Sequence, residues 1–244
     1  MQHDVLTKEK DPMGQAIADF FRLGKARPIR VFSSQFDEDE MPVKELFRTY
    51  PQMPPLEQRA LQLASGRILD VGAGSGCHSL ALQEMGKDVC AIDISPCSVE
   101  VMRARGVKDV RLANLFQPDL AGRFDTVLML MNGSGIIGRI EHMPAFFDRM
   151  KQLLVPGGCV LMDSSDLSYL FEDENGEVYI DLAGDYYGQV DFRMQYKEVT
   201  GDTFDWLYID FDTLSLYAEQ CGFRAELLDE GEHYNYLARL TAKA

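Results

Sequence analysis

Three glycines and an aspartate in the stretch RILDVGAGSGCHSLAL, residues 67–82, have the spacing of a ligand-binding loop. Glycine occupies positions 72, 74 and 76, and Asp70 lies two residues before the first of them. Because glycine carries no Cβ, such a loop can turn sharply and bring its backbone close to a ligand. Asp70 places negative charge at the end of a predicted strand. That charge is unfavourable beside a pyrophosphate but suits an ammonium or sulfonium group.

Several interpretations of this loop compete, and the sequence disfavours two of them. A dinucleotide fingerprint has its third glycine at the last position of G-x-G-x-x-G, where this chain has Cys77. A phosphate-binding P-loop needs Gly-Lys followed by Ser or Thr, and the loop does not contain it. Asp93 ends the next predicted strand about 20 residues further on, where its carboxylate can accept hydrogen bonds from both ribose hydroxyls. The pattern predicts a nucleoside with a cationic amino-acid tail, and a glycine-rich turn without a ligand is the remaining alternative.

The loop lies near the start of a run of alternating strands and helices. The intervening segments are predicted to be helices, several of which begin at proline or end at glycine. Strands that are apolar on both faces and connected by helices predict a mostly parallel, doubly wound α/β sheet. Ligands of such sheets bind at the carboxyl ends of the strands, which is where the loop and Asp93 fall. The predicted strands are RILDVGA, KDVCAIDIS, VRLANL, FDTVLMLMN and CVLMDSSD.

The flanking segments are predicted to be additions to one domain that spans residues 1–244, with its core at 67–166 and 211–244. Residues 1–66 are expected to form a helical extension with an acidic loop at FDEDEMP. Residues 167–210 are predicted to form an antiparallel β insert, with a hairpin at 188–210 and an earlier strand pair that turns at ENGE. The chain ends with a helix and two strands that are joined too closely for a helical crossover, so this pair must be antiparallel.

Composition restricts the class of partner. The chain has 244 residues, with 24 Lys and Arg against 39 Asp and Glu, for a formal charge of −15. Such a surface repels phosphate backbones, which disfavours nucleic acid and favours a small-molecule partner. The odd number of cysteines and the lack of a C-x-x-C pair predict reduced thiols in the cytoplasm. The sequence contains no run of about 18 apolar residues, so no membrane span is predicted. The four histidines are scattered along the chain, and no metal site is predicted.

This pattern resembles the class I S-adenosylmethionine-dependent methyltransferases. ILDVGAGSG is similar to their first motif, AIDIS to the second, FDTVLMLMN to the fourth strand and LLVPGGCVLMDSSD to the turn into the fifth. The ending, with CGF and two close strands, is similar to the reversed hairpin that closes their sheet. The resemblance covers about residues 56–166 and 211–242. It implies a seven-stranded doubly wound sheet with an antiparallel C-terminal strand, S-adenosylmethionine as cofactor and S-adenosylhomocysteine as product.

The resemblance also implies roles for individual residues. Asp70 would face the methionine end of the cofactor through backbone or water contacts, Asp93 would bind the ribose, and Ile94 would pack on the adenine. The family often has an acid after the third strand that binds the adenine amine, and this chain offers Asn114 instead. The full set of predicted cofactor residues is Asp70, Gly72, Ala73, Gly74, Gly76, Asp93, Ile94, Asn114, Leu115, Met131, Asn132 and Gly133. His78 is expected to cap or pack rather than to do chemistry.

The acceptor is less well defined by the sequence, and no catalytic residue is assigned. The fourth strand ends in MNGSG rather than Asn/Asp-Pro-Pro-Tyr, which disfavours the DNA-adenine and glutamine N-methylating branches of the family. A general base is needed only if the acceptor must lose a proton first. Asp163, Asp166 and Tyr169 are expected just past the fifth strand, where they would contact the acceptor. Tyr186 lies in the insert, which is expected to cover the acceptor or pair two chains in a homodimer, and Tyr50 lies in an N-terminal segment expected to close over the cofactor.

Two other classes of function compete with methyl transfer. An NAD(P)-dependent oxidoreductase is disfavoured by Cys77 at the place of the third glycine and by the closing strand pair. A nucleoside-binding scaffold that catalyses nothing is the second alternative. The presence of both Asp70 and Asp93 argues against it only weakly.

Overall fold

The computed structural model describes residues 4–120, 122–180 and 184–243. Its helices and strands follow the alternation expected for the core, and additional strands lie in the two flanking segments. The helices are α1 Pro12–Leu23, α2 Pro55–Leu63, α3 Cys77–Glu84, α4 Pro96–Arg105, α5 Met143–Leu153 and α6 Phe211–Gln220. The strands are β1 Ile29–Phe32, β2 Asp39–Met41, β3 Arg67–Val71, β4 Asp88–Asp93, β5 Asp109–Leu112, β6 Phe124–Met129, β7 Leu154–Ser165, β8 Gln189–Tyr196, β9 Val199–Thr200, β10 Phe204–Leu207, β11 Phe223–Glu230 and β12 Asn235–Ala242.

The main sheet has seven strands in the order β11-β12-β7-β6-β3-β4-β5. The five strands from β7 to β5 pair in parallel, whereas β12 pairs antiparallel with both β7 and β11. The predicted fold class is therefore confirmed. After β5 the chain crosses to the other side of β3 to form β6, so the strand order reverses between β3 and β6. Ligand sites of open α/β sheets lie at such a switch point.

Local sequence accounts for the helix that follows β4. The Ser95 hydroxyl accepts a hydrogen bond from the Ser98 N–H at 2.9 Å, which caps the amino end of α4. Pro96 occupies the first helical position, and Gly106 ends the helix in the left-handed conformation at φ 97°. These residues fix where β4 gives way to α4 and hence where Asp93 lies.

A second sheet joins the two flanking segments, and we call it the cap sheet. Its strands run in the order β10-β8-β1-β2, with β9 also paired to β8. The prediction of a helical extension and an acidic loop is thus incomplete, because 29–32 and 39–41 are strands. Val31 pairs with Met194 of β8, a partner more than 160 residues away that no local pattern could reveal. Helix α1 packs against both α4 and β8, so the cap sheet is anchored to the core.

The predicted strand pair around ENGE is reduced to a single bridge between Glu172 and Val178. Val178 and Tyr179 are exposed, so this pair has no buried apolar face to stabilise it. The last part of the predicted second strand, 181–182, lies outside the described residues. Within the described part of the chain, no helix has both the length and the hydrophobicity needed to cross a bilayer.

Candidate cofactor and acceptor site

The glycine loop after β3 is held against the end of β4. Gly72, Gly74 and Gly76 have φ of 69°, 57° and 83°, values that strongly favour glycine. The N–H groups of Gly72 and Ala73 both donate to the Ile92 carbonyl at 3.0 Å. A Cβ at position 72 would also lie only 3.1 Å from Ile136 Cδ1 in the turn after β6. The loop therefore bridges β4 and β6 at the switch point, with Gly72 exposed and Gly74 partly exposed.

Asp93 is oriented by that loop and by α4. One oxygen accepts from the Gly74 N–H at 2.7 Å and the other from the Ser95 N–H at 2.8 Å. Burial raises the pKa of Asp93 to about 6, although these two backbone hydrogen bonds oppose the shift. Each oxygen of a carboxylate has two lone pairs, so each keeps one for a ligand hydroxyl. This geometry suits a ribose diol.

Asp70 lies underneath the loop. Its carboxylate accepts a hydrogen bond from the Ser79 hydroxyl at 2.6 Å and is 2% exposed. Burial raises its pKa, while the charge of His78 and the hydrogen bonds from Ser79 lower it. The indirect contact of Asp70 with the methionine end of the cofactor stays a prediction.

A buried ion-pair cluster next to Asp70 was not predicted from the sequence. Arg48 Nη2 lies 2.7 and 2.9 Å from the two carboxylate oxygens of Glu57, and His78 Nε2 lies 2.8 Å from the second of these oxygens. Although burial lowers the pKa of His78, its hydrogen bond to Glu57 and the charges of Asp70 and Glu57 raise it overall. The expectation that His78 only caps or packs is therefore incomplete, because His78 also pairs with Glu57.

Arg48 also has a buried donor that no described residue satisfies. Its Nε is buried and has no hydrogen-bond acceptor among the described residues. Buried donors are almost always satisfied in folded proteins, so this one marks a place for a ligand acceptor. The carboxylate of an amino-acid tail fits this donor, and the buried carboxylate of Asp70 fits the cationic groups of the same tail. The residues present thus suit the predicted cofactor.

Asp163 of β7 accepts two hydrogen bonds from the turn after β6. Met131 and Asn132 are left-handed, with φ of 66° and 57°, although neither is glycine. The Asp163 oxygens accept from the N–H groups of Met131 at 3.1 Å and Gly133 at 2.9 Å. The prediction that Asp163 lies past the strand is wrong, because it lies inside β7 with its carboxylate on this turn. Burial raises the pKa of Asp163 to about 6.

The remaining predicted cofactor residues surround the same edge. Ile94 is 36% exposed and its carbonyl accepts from the Leu6 N–H at 2.8 Å, so the N-terminal segment passes beside it. Asn114 accepts from the Phe116 N–H at 2.9 Å and shapes the turn after β5. The Leu115 side chain is buried in the core, and its carbonyl accepts from Arg149. Their roles towards the cofactor stay predictions.

Two of the predicted acceptor residues, Asp166 and Tyr186, both contact Tyr187. Tyr187 donates to Asp166 at 2.7 Å, and Tyr186 donates to Asp210 at 2.6 Å, with the two rings 4.6 Å apart. Tyr169 stacks on Tyr234 and is half exposed. Tyr187 and Asp210 were not predicted, because only the folded insert brings them to β7.

Tyr50 belongs to a different part of the molecule. Its hydroxyl accepts from Gln62 of α2 at 2.8 Å, and its ring packs against the apolar cluster of α2 and α3. The structure does not bring it together with Tyr186. Within residues 4–120, 122–180 and 184–243, no group of three or more His, Cys, Asp or Glu side chains could hold a metal ion.

We expect Asp93 to make stability depend on pH. Its pKa rises from 3.8 to about 6 on folding, so the folded state binds the proton more tightly. The stabilisation that protonated Asp93 contributes to the folded state is complete below pH 3.8, the pKa of this group in the unfolded chain. It is lost as the pH rises through about 6. In Asp93→Asn, the fall in unfolding free energy from pH 4.5 to 7 should be smaller by about 2 kcal/mol. Urea unfolding at both pH values tests this, and equal slopes for variant and wild type would contradict it.

Comparison with known proteins identifies the family of this chain. The model of the methyltransferase domain family matches residues 44–227. A solved S-adenosylmethionine-dependent methyltransferase from Bacteroides fragilis, in complex with S-adenosylhomocysteine, is 67% identical, with 99% of each chain covered and a TM-score of 0.94. The CcbJ methyltransferase from Streptomyces caelestis is 15% identical, with 98% of this chain and 100% of that chain covered and a TM-score of 0.60, which indicates a shared fold.

A curated relative, the ubiquinone biosynthesis O-methyltransferase of Xanthomonas oryzae pv. oryzae strain PXO99A, is 32% identical over 135 residues. That match covers 50% of this chain and 53% of the relative, so the chain spans about half the length of the curated relatives it matches.

The fold is a doubly wound α/β domain whose candidate site lies at the switch point of the sheet. The chain belongs to the methyltransferase domain family. The predicted resemblance to S-adenosylmethionine-dependent methyltransferases and the predicted cofactor are therefore confirmed. Neither the family nor the solved relative supports the NAD(P)-dependent alternative.

Proposed function

We propose that this chain transfers a methyl group from S-adenosylmethionine to a small-molecule acceptor that binds between the main sheet and the cap sheet. When bound, the cofactor supplies an electrophilic methyl group for in-line displacement. The protein then has to orient two molecules and exclude water. The observation that carries the proposal is the geometry of Asp93, whose two oxygens are aimed by the Gly74 and Ser95 amides.

Charge supports this assignment of the cofactor. Asp70, Asp93 and Asp163 are buried at the carboxyl edge of the sheet. Three carboxylates in a region of low dielectric favour a ligand that carries positive charge. A sulfonium with an adjacent ammonium fits this field, whereas a dinucleotide pyrophosphate would be repelled.

Two features support a small acceptor. The net charge of −15 disfavours nucleic acid, and the cap sheet covers the edge of the core where the acceptor would bind. The name of the Xanthomonas relative is consistent with a hydroxyl of a small molecule as the acceptor. Free cysteines at all five positions support the cytoplasm as the compartment. Pairing of two chains through the insert is also a proposal.

Methyl-labelled S-adenosylmethionine can test the proposal directly. We expect label to move into the small-molecule fraction of a cell extract when the protein is added, and not when Asp93→Ala is added. Label in the protein or nucleic-acid fraction alone would overturn the acceptor class. If S-adenosylhomocysteine binds but no fraction gains label, the non-catalytic alternative is favoured instead.

Arg48 should bind the carboxylate of the cofactor. We expect Arg48→Leu to weaken S-adenosylhomocysteine binding by roughly tenfold to a hundredfold, the range for a lost charge-assisted hydrogen bond. Binding of 5′-methylthioadenosine, which lacks the amino-acid tail, should change little. Calorimetric titration measures both affinities.

The controls for this prediction separate charge from folding. Arg59→Leu on the exposed face of α2 should leave both affinities unchanged. Arg48→Lys keeps the charge beside Glu57 and should lose less affinity than Arg48→Leu. An equal loss for the two ligands would show that Arg48 does not contact the tail.

A further inference from the structure

The turn after β6 has an unusual backbone conformation. Among the described residues, four non-glycine residues have positive φ, and two of these, Met131 and Asn132, are neighbours in this turn. The left-handed region is unfavourable for a side chain with a Cβ, and asparagine tolerates it better than methionine. Strain of this kind persists only where the surroundings enforce it, and it is common at functional sites.

Neighbouring groups leave the turn little freedom. A Cβ at Gly133 would lie 2.7 Å from Met129 Cβ, so the backbone passes very close to the end of β6. The Ser134 hydroxyl lies 2.7 Å from the Ser164 hydroxyl and 2.8 Å from the Leu207 carbonyl of the cap sheet. Both β7 and β10 therefore contact the residues that follow the strained pair.

Asp163 makes the contacts that bear on the strained residues themselves. One oxygen accepts from the Met131 N–H at 3.1 Å and the other from the Gly133 N–H at 2.9 Å, so the two hydrogen bonds flank Asn132. The Ser165 hydroxyl donates to the Asn132 side-chain oxygen at 2.9 Å. The two N–H groups donate to different oxygens of the Asp163 side chain. A carboxylate provides two acceptor oxygens, whereas an amide provides one.

We propose that Asp163 is a positioning residue whose carboxylate holds the turn at 131–133 in the conformation that faces cofactor and acceptor. The inference rests on the proposed function, because it assumes that this turn lines the cofactor site. Asp163 is buried, and both of its oxygens accept hydrogen bonds from the turn. It acts on the ligands through the backbone of Met131 and Gly133.

The charges around Asp163 indicate how pH affects this contact. The charge of Glu57 of α2 disfavours ionisation of Asp163, while His78 of α3 favours it. The charge of Asp163 in turn helps to raise the pKa of Tyr236 of β12. Protonation of Asp163 removes one of the two acceptor oxygens, so the turn is held less firmly as the pH falls through about 6. S-adenosylhomocysteine affinity should decline over the same range. Asp93 titrates nearby, so wild type has to be compared with a variant in which only Asp163 is changed.

A double-mutant cycle tests the inference by calorimetric affinity for S-adenosylhomocysteine. Asp163→Asn should weaken binding by roughly tenfold or more in the wild-type background, as expected when a buried polar contact to a strained turn is lost. Met131→Gly removes the cost of the left-handed conformation at that residue. In this background, Asp163→Asn should weaken binding less than about threefold, because little strain is left to hold. An equal loss in both backgrounds, or no loss in either, would overturn the proposal.

Two further readouts keep the test decisive. Asp163→Asn should lack part of the pH dependence of affinity that wild type shows between pH 5 and 7.5, and an unchanged dependence would contradict the proposal. If Asp163→Asn does not fold, Met131→Gly alone should show a flatter pH dependence than wild type, and an identical one would overturn the idea. Failure of wild type to bind S-adenosylhomocysteine at any pH would instead refute the proposed function.

Discussion

Replacing Asp93 with alanine should reduce the affinity for S-adenosylhomocysteine by at least about a hundredfold, the effect expected for loss of a buried, charged hydrogen-bonding partner. The substitution removes both acceptors for the ribose diol. It also leaves the Gly74 and Ser95 amides without the carboxylate that now satisfies them. The loop after β3 would thereby lose the contact that holds it beside β4. Calorimetric titration of folded protein measures the change.

A control from the same strand makes this result specific. Asp88 lies at the opposite end of β4, with its side chain 75% exposed, and Asp88→Ala should leave the affinity within about twofold because surface charges contribute little. Asp93→Asn should fall between alanine and wild type, since it keeps one acceptor oxygen. An Asp93→Ala variant that binds as well as wild type would refute the assignment of the ribose site.

The second large effect is expected at Gly135, where the cap sheet meets the core. A Cβ at this position would overlap the indole ring of Trp206 in β10. Gly135→Ala must therefore push the indole ring, and with it β10, away from the turn after β6. We expect a loss of about 1–3 kcal/mol in unfolding free energy, the usual cost of overpacking a buried contact. Methyl transfer should be impaired as well, because the cap sheet would no longer cover the acceptor.

Trp206→Leu provides the matched background for this prediction. A leucine is smaller than the indole, so Gly135→Ala should cost much less stability there than in wild type. Urea unfolding of the four proteins in this cycle measures the coupling, and S-adenosylhomocysteine affinity shows whether the cofactor site survives. Additive losses in unfolding free energy would mean that the residue at position 135 and Trp206 do not clash.

The core of the fold could be predicted because its signals are local. Apolar strands, a proline at the start of α4 and a glycine at its end mark the alternation without reference to distant residues. The glycine loop and Asp93 have fixed places in that alternation, at the carboxyl ends of β3 and β4. Sequence therefore sufficed for the class of cofactor.

The cap sheet and the buried cluster beside Asp70 depend on contacts between distant segments and could not be predicted in the same way. The cap sheet pairs β1 with β8, and the buried cluster of Arg48, Glu57 and His78 draws one residue each from the N-terminal segment, α2 and α3. The alternation of strands and helices placed Asp163 near the site. Only the structure shows that its carboxylate accepts hydrogen bonds from the backbone of a strained turn.

Titration of the wild-type protein with S-adenosylhomocysteine and, separately, with NAD⁺ and NADH is the most direct test of the central claim. The geometry of Asp93, Asp70 and Arg48 predicts saturable binding of S-adenosylhomocysteine at one site per chain and no binding of either dinucleotide at the same concentrations. Binding of NAD⁺ or NADH without binding of S-adenosylhomocysteine would contradict it.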